Sequence, residues 1–325
     1  MQFIKMIFFR KKQIYMDNAA TTKVDENITK EMEKAMTKYF GNPSSIHAKG
    51  LEAKKEIENA RAMIANSIGA KSKEIIFTGS GTEANNLALK GLFWENKNRK
   101  NHIITTKIEH DCVLNSCKWL EKQGAEVTYL EVDKKGFISL EKLKNSIKKN
   151  TLVVSIIHGN NEIGTIQDIE KIGEICKKYN VYFHTDACQS YTKVPINVKK
   201  QNIDLMTLNA HKINGPKGVG ALYLKQGIKI NPLLHGGGQE DNLRSSTYNV
   251  PGIIGFAKAV KNTSSSDVEK MKQLTTNLIK GLKEIPNSRL NGPEADKRLC
   301  NNINFSLKNR EIIERLRENN IIIFL

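Results

Sequence analysis

Residues 151–189, TLVVSIIHGNNEIGTIQDIEKIGEICKKYNVYFHTDACQ, contain the pattern that decides the fold. A short apolar run rich in β-branched residues occupies positions 151–157. A helical pattern follows at 169–179, and a second apolar run follows at 181–185. Continuous apolar strands on either side of a helix are typical of parallel strands that are covered on both faces of a sheet.

The same alternation extends along most of the chain. Predicted strands occupy residues 74–78, 102–106, 126–130, 151–157, 181–185, 203–208 and 220–224. Predicted helices occupy residues 26–39, 48–67, 83–93, 111–123, 140–148 and 169–179. The pattern therefore predicts an α/β fold with a mostly parallel seven-stranded sheet and helices on both faces.

The pattern changes after Pro251. A helix ends near residue 262, and the later predicted elements are a helix at 268–283, a strand at 302–307, a helix at 310–319 and an apolar run at 321–324. We therefore predict a boundary near residue 263, between a large domain at 14–262 and a small α+β domain at 263–325. The first residues of the large domain are expected to pack on the small one.

The composition excludes several classes of protein. The chain has 325 residues, of which 39% are hydrophobic and 26% charged, so it is neither disordered nor collagen-like. Lys plus Arg is 51 and Asp plus Glu is 34, which gives a net charge of +17. The lysines are scattered and no nucleic-acid-binding motif accompanies them. We therefore predict solvated lysine-rich faces and no direct contact with nucleic acid.

Five widely spaced cysteines form neither a disulfide framework nor a metal-binding pattern. They predict a reducing cytoplasm and no metal site. Residues 1–13 contain a short apolar stretch followed by Arg10, Lys11 and Lys12, which does not fit a signal peptide. We predict a disordered leader there and, because no later run approaches the length of a membrane span, no membrane association.

The strongest functional signal is AHKINGPKG at residues 210–218. Lys212 directly follows a predicted strand, where a doubly wound sheet places its ligands. A lysine among apolar walls can have a lowered pKa, and its free amine can then form a Schiff base. The alternative is an ordinary surface lysine in a turn.

A second signal is HTDACQ at residues 184–189. Asp186 lies at the end of a predicted strand, where its carboxylate could pair with the protonated ring nitrogen of pyridoxal 5′-phosphate (PLP). Gln189 could return toward the same ligand if a helical turn begins there. The alternative is an aspartate that caps the next helix.

A third signal, TGSGTEANN at residues 78–86, links a strand to a helix. Its glycines, the free N–H groups of the helix start and the Thr82 hydroxyl form a predicted anion site for a phosphate. The segment fits neither the dinucleotide-binding fingerprint nor the P-loop.

Two further polar segments follow two other strands. His110 could place its imidazole over an aromatic ring, and Asn161 could offer its amide to a substrate carboxylate. Each alone is more typical of a structural hydrogen bond. Five polar segments follow five strands on the same side of the predicted sheet, however, and this convergence favours one shared site.

The chain resembles the cysteine desulfurases of the NifS/IscS type, in the class V aminotransferase family of fold-type I PLP-dependent enzymes. The likeness extends from residue 14 to about residue 320 in unbroken order. The matching segments are residues 15–22, 41–47, 79–86, 109–110, 160–164, 184–189, 210–218, 235–240 and 244–247.

The resemblance implies catalytic roles for two of these residues. Lys212 would bind PLP covalently, and His110 would stack on the ring and move protons. Asp186 would pair with the pyridine nitrogen, and Gln189 would bond the ring hydroxyl.

The resemblance also implies a phosphate site. Gly81, Thr82 and His211 would hold the phosphate, and Asn209 stands where many relatives have a serine that donates the same bond. Thr247 would reach the phosphate of a second subunit, which implies a homodimer.

The reaction implied by the resemblance converts L-cysteine into L-alanine. Asn161 would bind near the substrate carboxylate, and a mobile cysteine would carry the sulfur as a persulfide to an acceptor for iron–sulfur cluster, thio-cofactor or tRNA biosynthesis. The family's catalytic-cysteine loop follows the strand at 320–324 and is not present before Leu325, so we expect a C-terminally truncated chain that could be inactive as given. The alternatives are a selenocysteine lyase, an aminotransferase or a non-catalytic PLP-binding scaffold.

Overall fold

The computed structural model describes residues 13–308 and 311–323. The strands in this part of the chain are β1 (Ile14–Tyr15), β2 (Ile75–Thr78), β3 (His102–Thr106), β4 (Glu126–Leu130), β5 (Thr151–Ser155), β6 (Tyr182–Asp186), β7 (Leu205–Asn209), β8 (Gly220–Leu224), β9 (Arg289–Leu290), β10 (Phe305–Ser306) and β11 (Ile321–Ile322). The α-helices are α1 (Glu26–Lys38), α2 (Ala48–Ser67), α3 (Gly81–Asn96), α4 (Asp111–Glu121), α5 (Leu140–Ser146), α6 (Ile169–Tyr179), α7 (Val250–Asn262), α8 (Ser265–Lys283) and α9 (Glu311–Glu318).

Seven of the described strands form the central sheet, in the order β2-β8-β7-β6-β5-β3-β4. Only β8 runs antiparallel to its neighbours in this sheet, which the structure describes completely from residue 75 to residue 224. The other six strands therefore point the same way and end at one side, which we call the carboxyl end of the sheet. The predicted mostly parallel seven-stranded α/β sheet is confirmed.

Helices cover both faces of the sheet because successive strand residues point to opposite sides. In β5, Val154 belongs to one buried apolar cluster and Val153 to the other. The first cluster includes residues of α1, α2, α5, α6 and α7, and the second includes residues of α3 and α4. These two layers hold the strand ends, and hence the residues that follow them, in fixed positions.

Several predicted boundaries differ from the structure by a few residues, and three of the differences have clear local reasons. Helix α3 begins at Gly81, before the predicted residue 83, because the Ser80 hydroxyl accepts a hydrogen bond from the Glu83 N–H and caps the helix. Helix α8 begins at Ser265, before 268, because Ser264 forms a capping box with Asp267. The predicted strand at 302–307 is shorter in the structure and consists of β10 alone. The Asn302 and Asn304 side chains, which precede β10, instead donate to the carbonyls of Asn161 and Glu162 in the loop after β5.

The two ends of the described chain meet. Ile14 and Tyr15 of β1 pair in parallel with Ile321 and Ile322 of β11. The domain boundary near residue 263 stays a prediction, and residues 1–12 of the predicted leader lie outside the described residues. In the part of the chain that the structure describes, no helix combines the length and the apolar character needed to cross a membrane.

Candidate active site

Lys212 lies in the turn after β7, at the carboxyl end of the sheet. Its ammonium group donates to the carbonyl oxygens of Ala20, at 2.7 Å, and of Ala19. Burial lowers the pKa of Lys212, which favours the free amine that covalent binding of a carbonyl compound requires. The N-terminal segment with Ala19 and Ala20 therefore lies directly against the predicted catalytic lysine.

Asp186 ends strand β6 and is 4% exposed. Its Oδ2 accepts a hydrogen bond of 2.6 Å from Nδ2 of Asn85, and its Oδ1 accepts one of 2.9 Å from the Cys188 N–H. The carboxylate is thus held from two sides. Sequence reasoning missed the role of Asn85, although a buried polar residue on the otherwise apolar face of α3 is a usable signal.

The start of α3 has the shape of an anion site. A Cβ on Gly81 would lie 2.6 Å from Sγ of Cys188, so any other residue there would have to displace the Cys188 side chain. The same position is 3.5 Å from Nδ2 of Asn209, and the Thr82 side chain is exposed beside it. Asn209 is 4% exposed and its Nδ2 can donate to an anion there, whereas its Oδ1 has no partner among the described residues.

Gln189 and His211 contact the same N-terminal segment. Gln189 donates from Nε2 to the carbonyl of Ala19 at 2.8 Å, and Nδ1 of His211 lies 3.2 Å from the Thr21 hydroxyl. Burial, together with the nearby charges of Lys212 and Lys217, lowers the pKa of His211 to about 4. His211 is therefore a neutral hydrogen-bonding group at pH 7.

His110 is exposed at the start of α4. Its Nδ1 accepts from the Cys112 N–H at 3.1 Å and lies 3.0 Å from the Cys112 thiol, so the imidazole also caps the helix. Asn161 is half-buried and donates to the Glu162 carboxylate at 2.7 Å. Its neighbour Asn160 is buried and bonded to the Ile108 carbonyl, which leaves Asn161 as the member of the pair nearer to solvent.

Thr247 is exposed on the loop before α7. Arg244 of the same loop forms an ion pair with Glu83, with Nε and Oε1 2.7 Å apart. Glu83 also accepts a hydrogen bond from the Gly79 N–H at 2.7 Å. The loop of Thr247 is therefore anchored to the glycine-rich turn that starts α3.

Glu109 is a second buried group that sequence reasoning missed. Its Oε1 accepts from the Thr106 hydroxyl at 2.8 Å and from the Ile157 N–H at 2.9 Å, whereas its Oε2 has no partner. Burial raises the pKa of Glu109 to about 8. This carboxyl therefore connects the ends of β3 and β5 in its neutral form at pH 7.

The donor set fits PLP on three counts. Asp186 supplies a fixed carboxylate for a protonated ring nitrogen, and Lys212 supplies an amine with a lowered pKa. Gly81 and the Nδ2 donor of Asn209, which lies 3.5 Å from the position of a Cβ on Gly81, would supply the phosphate site. Among the described residues, no group of three or more His, Cys, Asp or Glu could hold a metal ion. Fold and site together define a PLP-dependent enzyme of fold-type I.

Known proteins agree with this class. The family description "Aminotransferase class-V" matches residues 14–323. A protein of Clostridium botulinum named cysteine desulfurase IscS is 49% identical over 300 residues, which are 91% of this chain and 76% of that protein. A solved NifS-like protein superimposes with a TM-score of 0.90 at 38% identity, over 95% of this chain and 87% of that one. A structure described as SspA in complex with cysteine gives a TM-score of 0.88 at 39% identity, with 96% and 89% covered.

The chain belongs to the class V aminotransferase family and, within it, to the cysteine desulfurases of the NifS/IscS type, which depend on PLP. It spans about three quarters of the length of the IscS protein from Clostridium botulinum, with 76% covered.

Proposed function

We propose that the protein converts L-cysteine into L-alanine and transfers the removed sulfur to an acceptor as a persulfide. The observation that carries this proposal is that the Asp186 carboxylate, at the end of β6, and the Lys212 amine, in the turn after β7, follow adjacent parallel strands at the same end of the sheet. When bound, PLP supplies an electron sink for the charge that develops on the substrate.

The chain's own residues perform four tasks in this proposal. Lys212 would hold the cofactor, and its amine would move protons near the reacting carbon of the substrate. Asp186 keeps the ring nitrogen protonated, because Asn85 and the Cys188 N–H orient its carboxylate. His110 would stack on the cofactor ring, and Asn161 would donate to the substrate carboxylate.

The sulfur needs a thiol that attacks it, since the substrate C–S bond breaks as the new S–S bond forms. Burial raises the pKa of all five cysteine thiols of the chain, to about 12 for Cys112 and Cys117. A buried protonated thiol is a poor nucleophile. We therefore assign none of the five this role, and the assay below supplies dithiothreitol as the attacking thiol.

The experiment measures PLP absorbance and alanine formation for the wild type, Lys212→Ala and the control Lys217→Ala, whose lysine is exposed in the same turn. We expect the cofactor band and alanine with the wild type and the control, and neither with Lys212→Ala. A band without alanine would overturn the desulfurase proposal and support a PLP-binding scaffold. Faster turnover of L-selenocysteine than of L-cysteine would support a selenocysteine lyase.

We also propose a homodimer in which Thr247 reaches the phosphate of the other subunit. An apolar patch at the end of α1, the following loop and the start of α2 supports it: Met36, Phe40, Ile46 and Leu51 are 58%, 67%, 93% and 53% exposed. Exposed apolar residues clustered in this way are typical of an interface. The loop between the two helices shares a cavity of about 380 Å³ with residues 237–241, close to the loop of Thr247.

Light scattering tests the dimer. We expect Ile46→Lys to give a monomer, because a charge in the interface core is costly. The control Leu274→Lys, on the exposed face of α8, should remain a dimer. A monomeric wild type would contradict the proposal.

The location and the acceptor are further proposals. Five cysteines without a disulfide support a cytoplasmic protein, and the acceptor is an iron–sulfur scaffold or a tRNA-thiolation enzyme. Transfer of radioactive sulfur from L-cysteine to each purified acceptor would distinguish the two.

A further inference from the structure

Lys193 is a buried lysine in the helical turn that follows β6. It is 8% exposed, and its ammonium group donates to the carbonyl of Gln189 at 2.9 Å and to that of Lys212 at 3.1 Å. No carboxylate lies within ion-pair distance of it in the part of the chain that the structure describes. The two carbonyls belong to different turns, one after β6 and the other after β7.

A buried ammonium without a counter-ion is unfavourable, and burial lowers the pKa of Lys193 to about 8. The other titratable groups near it are Lys212, Cys188 and Cys300. A methionine of similar length would avoid this cost, but it would leave both carbonyls without their donor. A lysine at position 193 is therefore advantageous only if the hydrogen-bonded link between the two turns contributes to the function of the site.

We propose that Lys193 is a positioning residue that joins the turn of Gln189 to the turn of Lys212 and so holds both side chains toward the cofactor. The inference rests on the proposed PLP site. Burial lowers the pKa of Lys212, so a turn that loosens without the Lys193 link would expose the Lys212 amine to water and raise that pKa. Cys188, Asp17, Asp186 and Glu162 surround Lys212 as well and are unchanged in the variants below.

The test compares Lys193→Met and Lys193→Arg with the control Lys225→Met, which removes an exposed ammonium paired with Asp204. The first readout is the dissociation constant of PLP, from absorbance titration of the apoprotein. The second is the pKa of the Lys212 amine in the apoprotein, from competitive acylation at several pH values and mass spectrometry. Neither readout needs turnover.

We expect Lys193→Met to bind PLP about tenfold more weakly and to raise the pKa of Lys212, because the link is lost and the Lys212 turn becomes less buried. Lys193→Arg keeps charge and donors and should bind within about threefold of the wild type. The control should match the wild type. Should Lys193→Met fail to fold, Lys193→Gln, which keeps an N–H donor without the charge, should weaken binding about threefold.

The measurements distinguish a failure of this inference from a failure of the proposed function. PLP binding by the folded Lys193→Met, or by Lys193→Gln in its place, at wild-type affinity with an unchanged Lys212 pKa would overturn the inference. A wild type that does not bind PLP at Lys212 would instead overturn the proposed function.

Discussion

The carboxyl end of the sheet and the C-terminal region after residue 263 are built in different ways. Helix α3, which starts at the predicted phosphate site, buries nine residues, whereas α8, the longest helix of the C-terminal region, buries none within the described chain. The first region is held by apolar burial on both faces of the sheet. The second is held mainly by polar contacts.

Those polar contacts are concentrated at one place. The Leu299 N–H donates to the Gly164 carbonyl at 2.8 Å, and Nδ2 of Asn302 donates to the Asn161 carbonyl at 3.1 Å. Arg298 is 4% exposed and donates to Oδ1 of Asn302 at 2.7 Å. A region with little apolar burial therefore positions the loop of the predicted substrate residue Asn161.

The largest expected effect comes from a substitution that removes the charge of Asp186 at the carboxyl end of the sheet. Asp186→Asn keeps the acceptor for the Cys188 N–H but cannot stabilise a protonated ring nitrogen. We expect alanine formation to fall by about a thousandfold with little change in melting temperature. The control Asp204→Asn removes a carboxylate that accepts from the Phe183 N–H at the other end of the strands and should remain within about threefold. A loss below tenfold for Asp186→Asn would contradict its role.

A pair of core and surface variants tests the contrast in burial. Leu92→Ala on α3 removes a side chain that is 0% exposed, and should lower the free energy of unfolding by about 3 kcal/mol. Leu274→Ala on α8 removes one that is 61% exposed, and should change it by less than about 0.5 kcal/mol. Urea unfolding measures both. Equal losses would mean that α8 is packed against another surface.

Arg298→Met tests whether polar contacts hold the C-terminal region against the loop of Asn161, because it removes the buried guanidinium that bonds to Asn302. Its loss leaves the carbonyls of Pro293, Asn291 and Asn302 without their donor, so we expect a cost of about 2 kcal/mol. Hydrogen exchange should become faster at the Leu299 amide and around Asn161, and slow sites in the sheet should not change. The control Arg289→Met removes an exposed arginine of the same region. Unchanged exchange at Leu299 would contradict the link.

The last comparison concerns pH and the buried carboxyl of Glu109. The folded-state pKa of Glu109 is raised to about 8 from an ordinary value of 4.5, so the stability that it contributes is present below 4.5 and lost as the pH rises to about 8. Glu109→Gln removes this loss. Relative to the wild type, its free energy of unfolding should fall less as the pH rises from about 5 to about 8. The exposed control Glu131→Gln should show no such difference, and a parallel pH profile for Glu109→Gln would disprove the raised pKa.

The sequence predicted the strands and the segments that carry the site because both depend on local patterns. Continuous apolar runs indicate buried strands, and glycine, lysine and aspartate directly after such runs indicate a site at their ends. The strand order β2-β8-β7-β6-β5-β3-β4 could not be predicted from the sequence, because strand pairing depends on contacts between residues that are distant in the chain.

The supporting residues were missed for the same reason. Asn85 matters because it meets Asp186 across 101 positions, and Glu109 because it meets the Ile157 N–H across 48. Lys193 looks like any other lysine in a chain with 51 basic residues until its burial is known. A polar residue that acts through a partner from another strand has no local signature.

The central claim is that Lys212 binds PLP, and one measurement tests it directly. The protein is incubated with PLP, reduced with borohydride, digested and analysed by mass spectrometry. The account predicts that the cofactor is found on the peptide that contains Lys212 and is absent after Lys212→Ala. PLP attached to Lys193 or Lys217 instead, or to no peptide at all, would contradict it.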